Sequence, residues 1–330
     1  MEAIKMHLTV LPPRLNIATI LRPNIGVMAH PVLRQLFYTE RNEDSFFCIT
    51  KTEYELSLVL EDKYLKEVLK FADSNHLKDC IEYWPQNWIA LRTDLGSSGA
   101  DNGESVVNSL AKTLSAADIT IFYLSTYSSD YCLVEEHNVE KALQVLRQEF
   151  KLIVEGEELI TSSFDKLNRY PNDLEPMESP RAESKKRKLF FHDTDLQLAC
   201  VSPESVASLS VFLMKCFFFT KSWSKIISFI QIEGEISLLG DYRYFEDLPE
   251  EQNALLSKYS ESWKAFSIGE ELGYSESGIV YSISSPLSAC NTSIFYLSTF
   301  RTDFCLVIAS DVENSVHTLK THFSLENKRE

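Results

Sequence analysis

The sequence predicts an α+β fold of four ferredoxin-like modules arranged as two tandem pairs. The first observation is an internal repeat, because residues 114–150 and 287–323 agree at 17 of 37 positions when aligned without a gap. The second is the order strand, helix, strand, strand, helix in both copies, which is the split βαβ order of ferredoxin-like folds. A fainter version of this order near the start of the chain and after its middle is the third. Agreement through strand-like and helix-like segments alike indicates duplication.

Each copy of the repeat combines helical and strand periodicity. Val107, Leu110 and Leu114 lie at helical spacing, and the later copy has apolar residues at the same offsets. A strand rich in Ile, Phe and Tyr follows and ends at a Ser-Thr turn, after which a second strand begins at Asp130 or Asp303. An amphipathic stripe then predicts a second helix in each copy. A strand precedes each unit, and a final strand from residue 151 is visible in the first copy.

The predicted modules have boundaries that follow from these patterns. The first module takes residues 1–80, the second 81–158, the third 193–258 and the fourth 259–330, with a linker at 159–192. Pro, Ser, Asn and charged residues dominate the linker, so it cannot bury enough apolar area to fold alone. Its basic cluster at 185–188 leaves three alternatives open: a nuclear import signal, a tether to an anionic surface, or a simply solvated stretch.

Charge and composition exclude several classes of partner and location. The chain has 48 acidic and 32 basic side chains, and its net charge of −16 repels phosphate backbones and anionic membranes. We therefore expect no nucleic acid and no membrane partner. The most apolar run, VFLMKCFFF, is about half the roughly 20 residues that a membrane helix requires. The seven cysteines are odd in number and lack a C-x-x-C pair, which predicts reduced thiols in a cytosolic protein.

Motifs of catalysis are missing from the sequence. It contains no G-x-x-x-x-G-K-[ST], no G-x-G-x-x-G after a strand, no G-x-S-x-G and no H-E-x-x-H. Ten glycines in 330 residues are few for an enzyme that wraps phosphates. His317 and His322 would point to different faces of a helix, which disfavours a metal pair. We expect no catalytic residues, no metal and no cofactor, and therefore a protein that is not an enzyme.

Three groups of motifs resemble those of one known family. They are the STY-x-x-D and STF-x-x-D repeats, the segment LGYSESGIV at 272–280 and the element IEGEIS at 232–237. Paired modules of this order are similar to ACT domains, which bind amino acids at module interfaces in regulatory proteins. Taken in order along nearly the whole chain, the motifs resemble the CASTOR family of cytosolic arginine sensors for TOR complex 1.

The resemblance implies that L-arginine binds between the second and fourth modules. The matching ligand positions are Thr120, Ile121, Gly273, Glu276, Gly278, Ile279, Val280, Thr299, Phe300 and Asp303. The family commonly has Ser-Val where this chain has Thr120 and Ile121. Because arginine carries a guanidinium, an ammonium and a carboxylate, a selective pocket needs two separated acids and donors for the carboxylate. We expect Asp303 to bind the guanidinium, Glu276 the ammonium, and a helix beginning near Ser277 the carboxylate.

The resemblance also implies a protein partner. In the family the unliganded sensor binds and inhibits the GATOR subcomplex upstream of TOR complex 1, and arginine weakens this contact. The matching positions are Tyr127, Ser128, Asp130, Glu261 and Asn291. Gln is usual at the position of Ser128, and Asp at that of Asn291. We also expect a homodimer, because ferredoxin-like modules extend sheets edge to edge and pack helices side by side.

The two copies are expected to serve different purposes, although other interpretations stay open. Gly103 occupies in the earlier copy the position of Glu276, so the earlier site has lost one acid. The later copy should then face the ligand and the earlier one the partner. The residues alone also allow structural roles, since Glu276 could cap the helix that follows it and Asp130 and Asp303 could each stabilise a turn. Two alternative functions are an ACT-type regulatory subunit of a biosynthetic enzyme and a scaffold with an inactive pocket.

Overall fold

The computed structural model describes residues 5–95, 106–159, 186–219, 226–269, 272 and 276–328. The elements of the first half are, in chain order, β1 Lys5–Leu21, α1 Ala29–Phe37, β2 Phe46–Thr52, β3 Glu55–Glu61, α2 Asp62–Ser74, β4 Glu82–Tyr83, β5 Trp88–Leu95, α3 Val106–Ala116, β6 Ile121–Ser125, β7 Asp130–Glu135, α4 Val139–Glu149 and β8 Lys151–Glu155. Those of the second half are β9 Lys188–Val201, α5 Ser210–Met214, β10 Ile226–Ile232, β11 Glu235–Asp241, α6 Tyr242–Glu246, α7 Glu250–Asn253, β12 Leu256–Lys258, β13 Trp263–Ile268, α8 Ile279–Ser288, β14 Ile294–Ser298, β15 Asp303–Ile308, α9 Val312–His322 and β16 Ser324–Asn327.

The α+β class predicted from the sequence is confirmed, and two details of the chain path differ from the expectation. β9 begins at Lys188, inside the range expected for the linker, because its first residues pair with β16 and β13. The later copy also ends in a strand, β16, as the earlier copy ends in β8. Both final strands run parallel to a long first strand, β8 beside β1 and β16 beside β9.

The strands form a closed path. The hydrogen-bonded order is β11, β10, β2, β3, β1, β5, β7, β6, β14, β15, β13 and β9, and β9 pairs again with β11. Closure depends on β1 and β9, since each of these long strands changes its neighbour in the closed path partway along its length. β1 pairs with β5 along its first half and with β3 along its second, and β9 pairs with β13 and then with β11. Their registers shift between Val10 and Arg14 of β1 and at the matching part of β9 opposite Ala265. In β1 this is where Pro12 and Pro13 stand, residues that cannot donate to a ladder.

Closing the path gives the strands two buried faces and the molecule three apolar cores. One outer core packs α3, α4, α8 and α9 onto the strands of the two repeat copies. A second outer core packs α1, α2 and α5 onto the remaining strands. The inner core lies between the strands and includes Phe46, Trp88, Trp263 and Leu306. Helices therefore cover only the outside of the ring, and strand side chains fill its inside.

Residues of the repeated strand alternate between the inner and outer cores. Phe122 and Leu124 belong to the inner core, and Tyr123 belongs to the outer core of the repeat copies. In the later copy, Phe295 and Leu297 likewise belong to the inner core and Tyr296 to the outer core. Because successive side chains of a strand point to opposite faces, a strand buried on both faces reads as a continuous apolar run, as IFYL does.

The two copies meet at a short and nearly symmetric junction. Leu124 of β6 pairs with Leu297 of β14. The backbone N–H of Tyr296 donates to Ser125 Oγ at 3.0 Å, and that of Tyr123 donates to Ser298 Oγ at 3.1 Å. These reciprocal bonds explain why both copies carry serine at this position. Within the described residues, no helix combines the length and the apolar character needed to cross a bilayer.

Replacing Ser125 with alanine should weaken this junction. The buried Tyr296 N–H would lose its acceptor, and an unsatisfied buried donor costs about 1–3 kcal/mol. Urea unfolding monitored by tryptophan fluorescence measures the change in the free energy of unfolding. Ser310→Ala, at an exposed position, is the matched control. Equal stability of the two variants would contradict the role of Ser125.

Candidate functional site

A small cavity lies where the two repeat copies meet. Its volume of about 30 Å³ is room for one or two water molecules. The lining residues are Trp84, Trp88, Thr120, Ile121, Phe122, Leu272, Glu276, Ile279, Ser298, Thr299, Phe300 and Asp303. Seven of the ten residues that the sequence indicated for a ligand are among them. Residues separated by more than 150 positions in the chain are therefore brought to one place.

The other three indicated residues have different positions. Gly278 precedes α8 with a left-handed φ of 79°, and a Cβ there would lie 2.7 Å from Ser115 Oγ. Glycine is thus required by both backbone conformation and contact with α3. Val280 is buried in the outer core beneath α8. Gly273 lies outside the described residues, as does Gly103 of the earlier copy.

An aromatic wall of the cavity was missed by sequence reasoning. The ring centroid of Trp84 lies 4.9 Å from that of Phe300, with an angle of 32° between the ring planes, and 5.5 Å from that of Trp88. Phe122 meets Trp84 edge-on at 6.0 Å. The available signal was the pair of tryptophans in WPQNW, immediately before and at the start of β5. Aromatic faces of this kind attract cations, and a planar guanidinium stacks on them.

Asp303 is the buried acid of the cavity. It begins β15, is 6% exposed, and accepts a hydrogen bond of 2.8 Å from Tyr296 Oη. Burial raises the pKa of Asp303 to about 6, although hydrogen bonds from Tyr296 and Ser298 favour the charged form. The carboxyl is therefore poised to become fully charged when a cation reaches it.

Glu276 is the second acid and lies nearer the surface. Its Oε1 accepts a 2.6 Å hydrogen bond from Arg187 Nη2, and both side chains are about one-third exposed. Glu276 also acts on Asp303, since its charge contributes to the raised pKa of that carboxyl. The two acids that the sequence proposed for arginine are thus electrostatically coupled in one cavity.

The turn that carries Thr299 and Phe300 is held by a third acid, Glu55 of β3. Glu55 Oε1 accepts hydrogen bonds from Thr299 Oγ1 at 2.9 Å and from the Arg301 N–H at 3.2 Å. Thr19 donates to the other carboxyl oxygen at 2.6 Å. Burial raises the pKa of Glu55, which is 1% exposed, while these donors favour its charge. Ser57 completes the clamp by accepting from the Phe300 N–H at 3.0 Å.

The corresponding turn of the earlier copy has an equivalent clamp on β11. Ser237 accepts a 2.8 Å hydrogen bond from the Tyr127 N–H, and Glu235 accepts from Ser128 Oγ and Ser237 Oγ. Each clamp reads Glu-x-Ser in the sequence, as ELS from Glu55 and as EIS from Glu235. The element IEGEIS thus holds this second turn. Sequence reasoning missed its counterpart, the ELS segment that begins at Glu55.

The start of helix α8 is held against the earlier copy. Ser277 Oγ donates to Asp118 Oδ1 at 2.6 Å just before the helix begins. Ser284 donates to Asn108 of α3 at 3.4 Å. The first N–H groups of an α-helix have no intrahelical acceptor, so the start of α8 at Ile279, a cavity residue, suits an anionic group.

Residues indicated for the partner divide into exposed and partly buried groups. Ser128, Glu261 and Asn291 are exposed. Tyr127 is half-buried, and its ring packs against Tyr259 at 6.3 Å, two residues before Glu261. Asp130 is only partly accessible.

The environment of Asp130 differs from what a partner-facing role predicts. Burial raises the pKa of Asp130 to about 6, and the neighbouring hydroxyls of Tyr123 and Ser125 oppose that rise. Asp130 therefore resembles Asp303 in its raised pKa and does not present a freely solvated charge. Among the residues that the structure describes, no three His, Cys, Asp or Glu side chains are grouped to hold a metal ion.

Two family models match the chain. The ACT domain model matches residues 84–148 and 258–321, which contain the two repeat copies. The N-terminal domain model of cytosolic arginine sensor for mTORC1 subunit 1 matches residues 14–74. The α+β elements described above are therefore those of ACT domains in these two segments.

Curated relatives extend the similarity over nearly the whole chain. The human cytosolic arginine sensor for mTORC1 subunit 1 is 25% identical over 341 aligned residues, covering 96% of this chain and 98% of the relative. The human protein CASTOR3P is 30% identical over 118 residues, which cover 33% of this chain and 70% of the relative. Among solved structures, aspartate kinase from Synechocystis is 11% identical and covers 97% of this chain and 56% of its own, with a TM-score of 0.34, a likeness too weak to bear on function.

Stability of Asp303→Asn should differ from that of the wild type in a pH-dependent way. The folded pKa of about 6 exceeds the unfolded value near 4, so the folded state binds this proton more tightly. Tighter proton binding at Asp303 therefore stabilises the folded state fully below about pH 4, and this stabilisation is lost as the pH rises to about 6. Asparagine still accepts from Tyr296 but does not titrate.

The variant should thus gain up to about 3 kcal/mol relative to wild type between pH 4 and 7. Urea unfolding across this range measures the difference, with Asp79→Asn as the exposed control. A difference between Asp303→Asn and wild type that does not change with pH would contradict the raised pKa.

Proposed function

This chain belongs to the family of the cytosolic arginine sensors for mTORC1, and on that basis we propose that it binds L-arginine and signals its presence. The proposed architecture is four ACT modules in two tandem pairs, at residues 1–80, 81–158, 188–258 and 259–330, with the third module beginning at the start of β9 and the linker ending before it. The ligand lies between the second and fourth modules. We propose that the chain is a regulator in the cytosol without a catalytic role, in keeping with the names of its relatives.

The observation that carries the proposal is the convergence of two acids and an aromatic wall on one cavity. Asp303 is the partner of the guanidinium, because it is the buried acid and lies beside the ring of Phe300. Glu276, nearer the surface, is the partner of the ammonium group. N–H groups at the start of α8 bind the carboxylate. Each charged group of arginine then has either a partner of opposite charge or a hydrogen-bond donor. An amino acid without a guanidinium would leave Asp303 without a cationic partner.

The cavity is far smaller than arginine, so binding requires the two modules to move apart and close again. A ligand held between modules stabilises one mutual arrangement of them, and a partner that prefers the other arrangement is released. A coupling free energy of about 1–3 kcal/mol is enough for a useful switch. The turn from Thr299 connects the ligand to β3 through Glu55, so movement at the cavity reaches the first module directly.

We further propose that the unliganded protein binds and inhibits the GATOR subcomplex, and that arginine releases it. Tyr127, Ser128, Asp130, Glu261 and Asn291 are the proposed contact residues. The edge-on contact between the rings of Tyr127 and Tyr259 supports a joint surface for Tyr127 and Glu261. Asp130 is proposed to act by shaping this turn, since its carboxyl is largely desolvated. The active form is proposed to be a homodimer.

Isothermal titration with arginine is the direct test of ligand binding. We expect heat with arginine and at least about 10-fold weaker binding of lysine and citrulline, which lack the guanidinium. Asp303→Asn and Glu276→Gln should each weaken arginine binding about 10-fold or more, because each removes a charged hydrogen-bond partner. Affinity should also fall below about pH 6, where Asp303 takes up a proton.

Glu313→Gln, which removes an exposed acid of α9, is the matched control and should bind as the wild type does. No heat with arginine, in protein shown by circular dichroism to be folded, would exclude this function.

Capture of partners from native cells tests the second half of the proposal. We expect the immobilised chain to retain GATOR components without arginine and to lose them when arginine is added. Glu261→Arg, at an exposed position, should reduce capture and leave arginine titration unchanged, whereas Glu313→Arg should change neither. Recovery of an enzyme of amino-acid biosynthesis would instead support the regulatory-subunit alternative.

A further inference from the structure

The proposed arginine cleft already contains a guanidinium that belongs to the chain itself. Arg187 Nη2 donates to Glu276 Oε1 at 2.6 Å, and Glu276 lines the cavity. The Arg187 charge also reaches Asp303, where it opposes the rise in pKa that burial causes. One arginine side chain thus interacts with both acids assigned to free arginine.

The backbone of Arg187 is held firmly, so its side chain starts from a defined point. The Arg187 carbonyl accepts a 3.0 Å hydrogen bond from the Ser324 N–H. The next residue, Lys188, begins β9 and pairs with Ser324 of β16, while its carbonyl accepts from the Gly269 N–H at 2.9 Å. Because the backbone is already ordered, the ion pair costs only the rotamer freedom of the Arg187 side chain and no further backbone entropy.

We propose that Arg187 is a tethered competitor of arginine, which occupies Glu276 in the unliganded protein and must leave it before the ligand binds. The inference rests on the proposed function and adds a residue that sets the affinity of the same cleft. Its chemistry follows from like charge, because the Arg187 guanidinium and the ligand ammonium are both cations that pair with the Glu276 carboxylate. Although a carboxylate can accept several hydrogen bonds, two cations held at one partly buried carboxylate repel each other, so each weakens the binding of the other.

The size of the effect follows from the strength of the ion pair. A tethered group competes at an effective concentration set by its attachment, without any change in the free ligand. Observed affinity is the intrinsic affinity reduced by the fraction of molecules in which Glu276 is available. Ion pairs with this exposure contribute up to about 1 kcal/mol, so removal of Arg187 should tighten arginine binding about 2- to 6-fold.

The adjacent Lys186 provides a matched control for the loss of one positive charge. Lys186 Nζ donates to the carbonyl of Thr321 at 2.6 Å, at the C-terminal end of α9, and not to either acid of the cavity. Lys186→Ala therefore removes the same charge from the same segment without releasing Glu276. Arg187→Lys keeps the charge but loses the planar fork of donors.

Isothermal titration of arginine into the full-length wild type, Arg187→Ala, Arg187→Lys and Lys186→Ala tests the inference. We expect about 2- to 6-fold tighter binding for Arg187→Ala, a smaller gain for Arg187→Lys, and wild-type affinity for Lys186→Ala. Weaker binding by Arg187→Ala would overturn the inference and identify Arg187 as a ligand contact. An equal gain in Lys186→Ala, or an unchanged affinity in Arg187→Ala, would also overturn it.

A spectroscopic measurement separates this inference from the proposed function. The Arg187 Nε–H resonance, assigned by its loss in Arg187→Ala, should move toward the position of a solvated arginine when arginine is added to the wild type. Binding of arginine without such a change would refute the competitor and leave the proposed function intact. Binding by neither the wild type nor Arg187→Ala would refute both, whereas binding by Arg187→Ala alone would support both.

Discussion

Closure of the strand path is the constraint on which the rest of the structure depends. β1 and β9 each pair with two different neighbours along their lengths, so sheets that would otherwise end in open edges join into a ring. Only a closed path removes unpaired strand edges and encloses an apolar core on the inner face. The side chains of Phe46, Trp88 and Trp263 fill that core. Helices are then confined to the outside, where α3 packs against α8, the helix whose first residue, Ile279, lines the cavity.

The ring also decides where the duplicated turns rest. Each Ser-Thr turn follows a strand at the junction and reaches across to a strand of another module, where a glutamate and a serine bind its backbone and side chains. Glu55 and Ser57 hold the turn of the later copy, and Glu235 and Ser237 hold that of the earlier copy. A cavity lined by one of these turns is therefore mechanically linked to a module that contributes nothing to its lining. That arrangement suits a protein that reports occupancy, because movement at the ligand is passed through direct hydrogen bonds.

The two copies have kept their frame and diverged in their chemistry. Asp130 and Asp303 each lie near a tyrosine and a serine hydroxyl, and burial raises both pKa values to about 6, although Asp303 alone of the two accepts a hydrogen bond from its tyrosine. Yet the cavity of the later copy also has Glu276, which pairs with Arg187 in the closed state. A buried acid alone is stabilised by taking up a proton, whereas two coupled acids attract a cation. Divergence at one acidic position thus separates a structural aspartate from a proposed binding site.

The sequence by itself determined the α+β class, the duplication, the strands and helices of both copies and seven of the residues that line the cavity. It did so because hydrophobic periodicity and the internal repeat indicate local structure. The site residues followed from matching short motifs to those of a known family, which needs no coordinates. Closure of the ring, the clamp by Glu55, the aromatic wall around Trp84 and the contact of Arg187 with Glu276 were decided by tertiary structure alone. These features join residues that lie far apart in the chain, and no local pattern encodes which distant partner a buried acid or a tryptophan will meet. The partly buried state of Asp130 belongs with them, since burial is a property of the packed molecule and not of the Ser-Thr turn that precedes it.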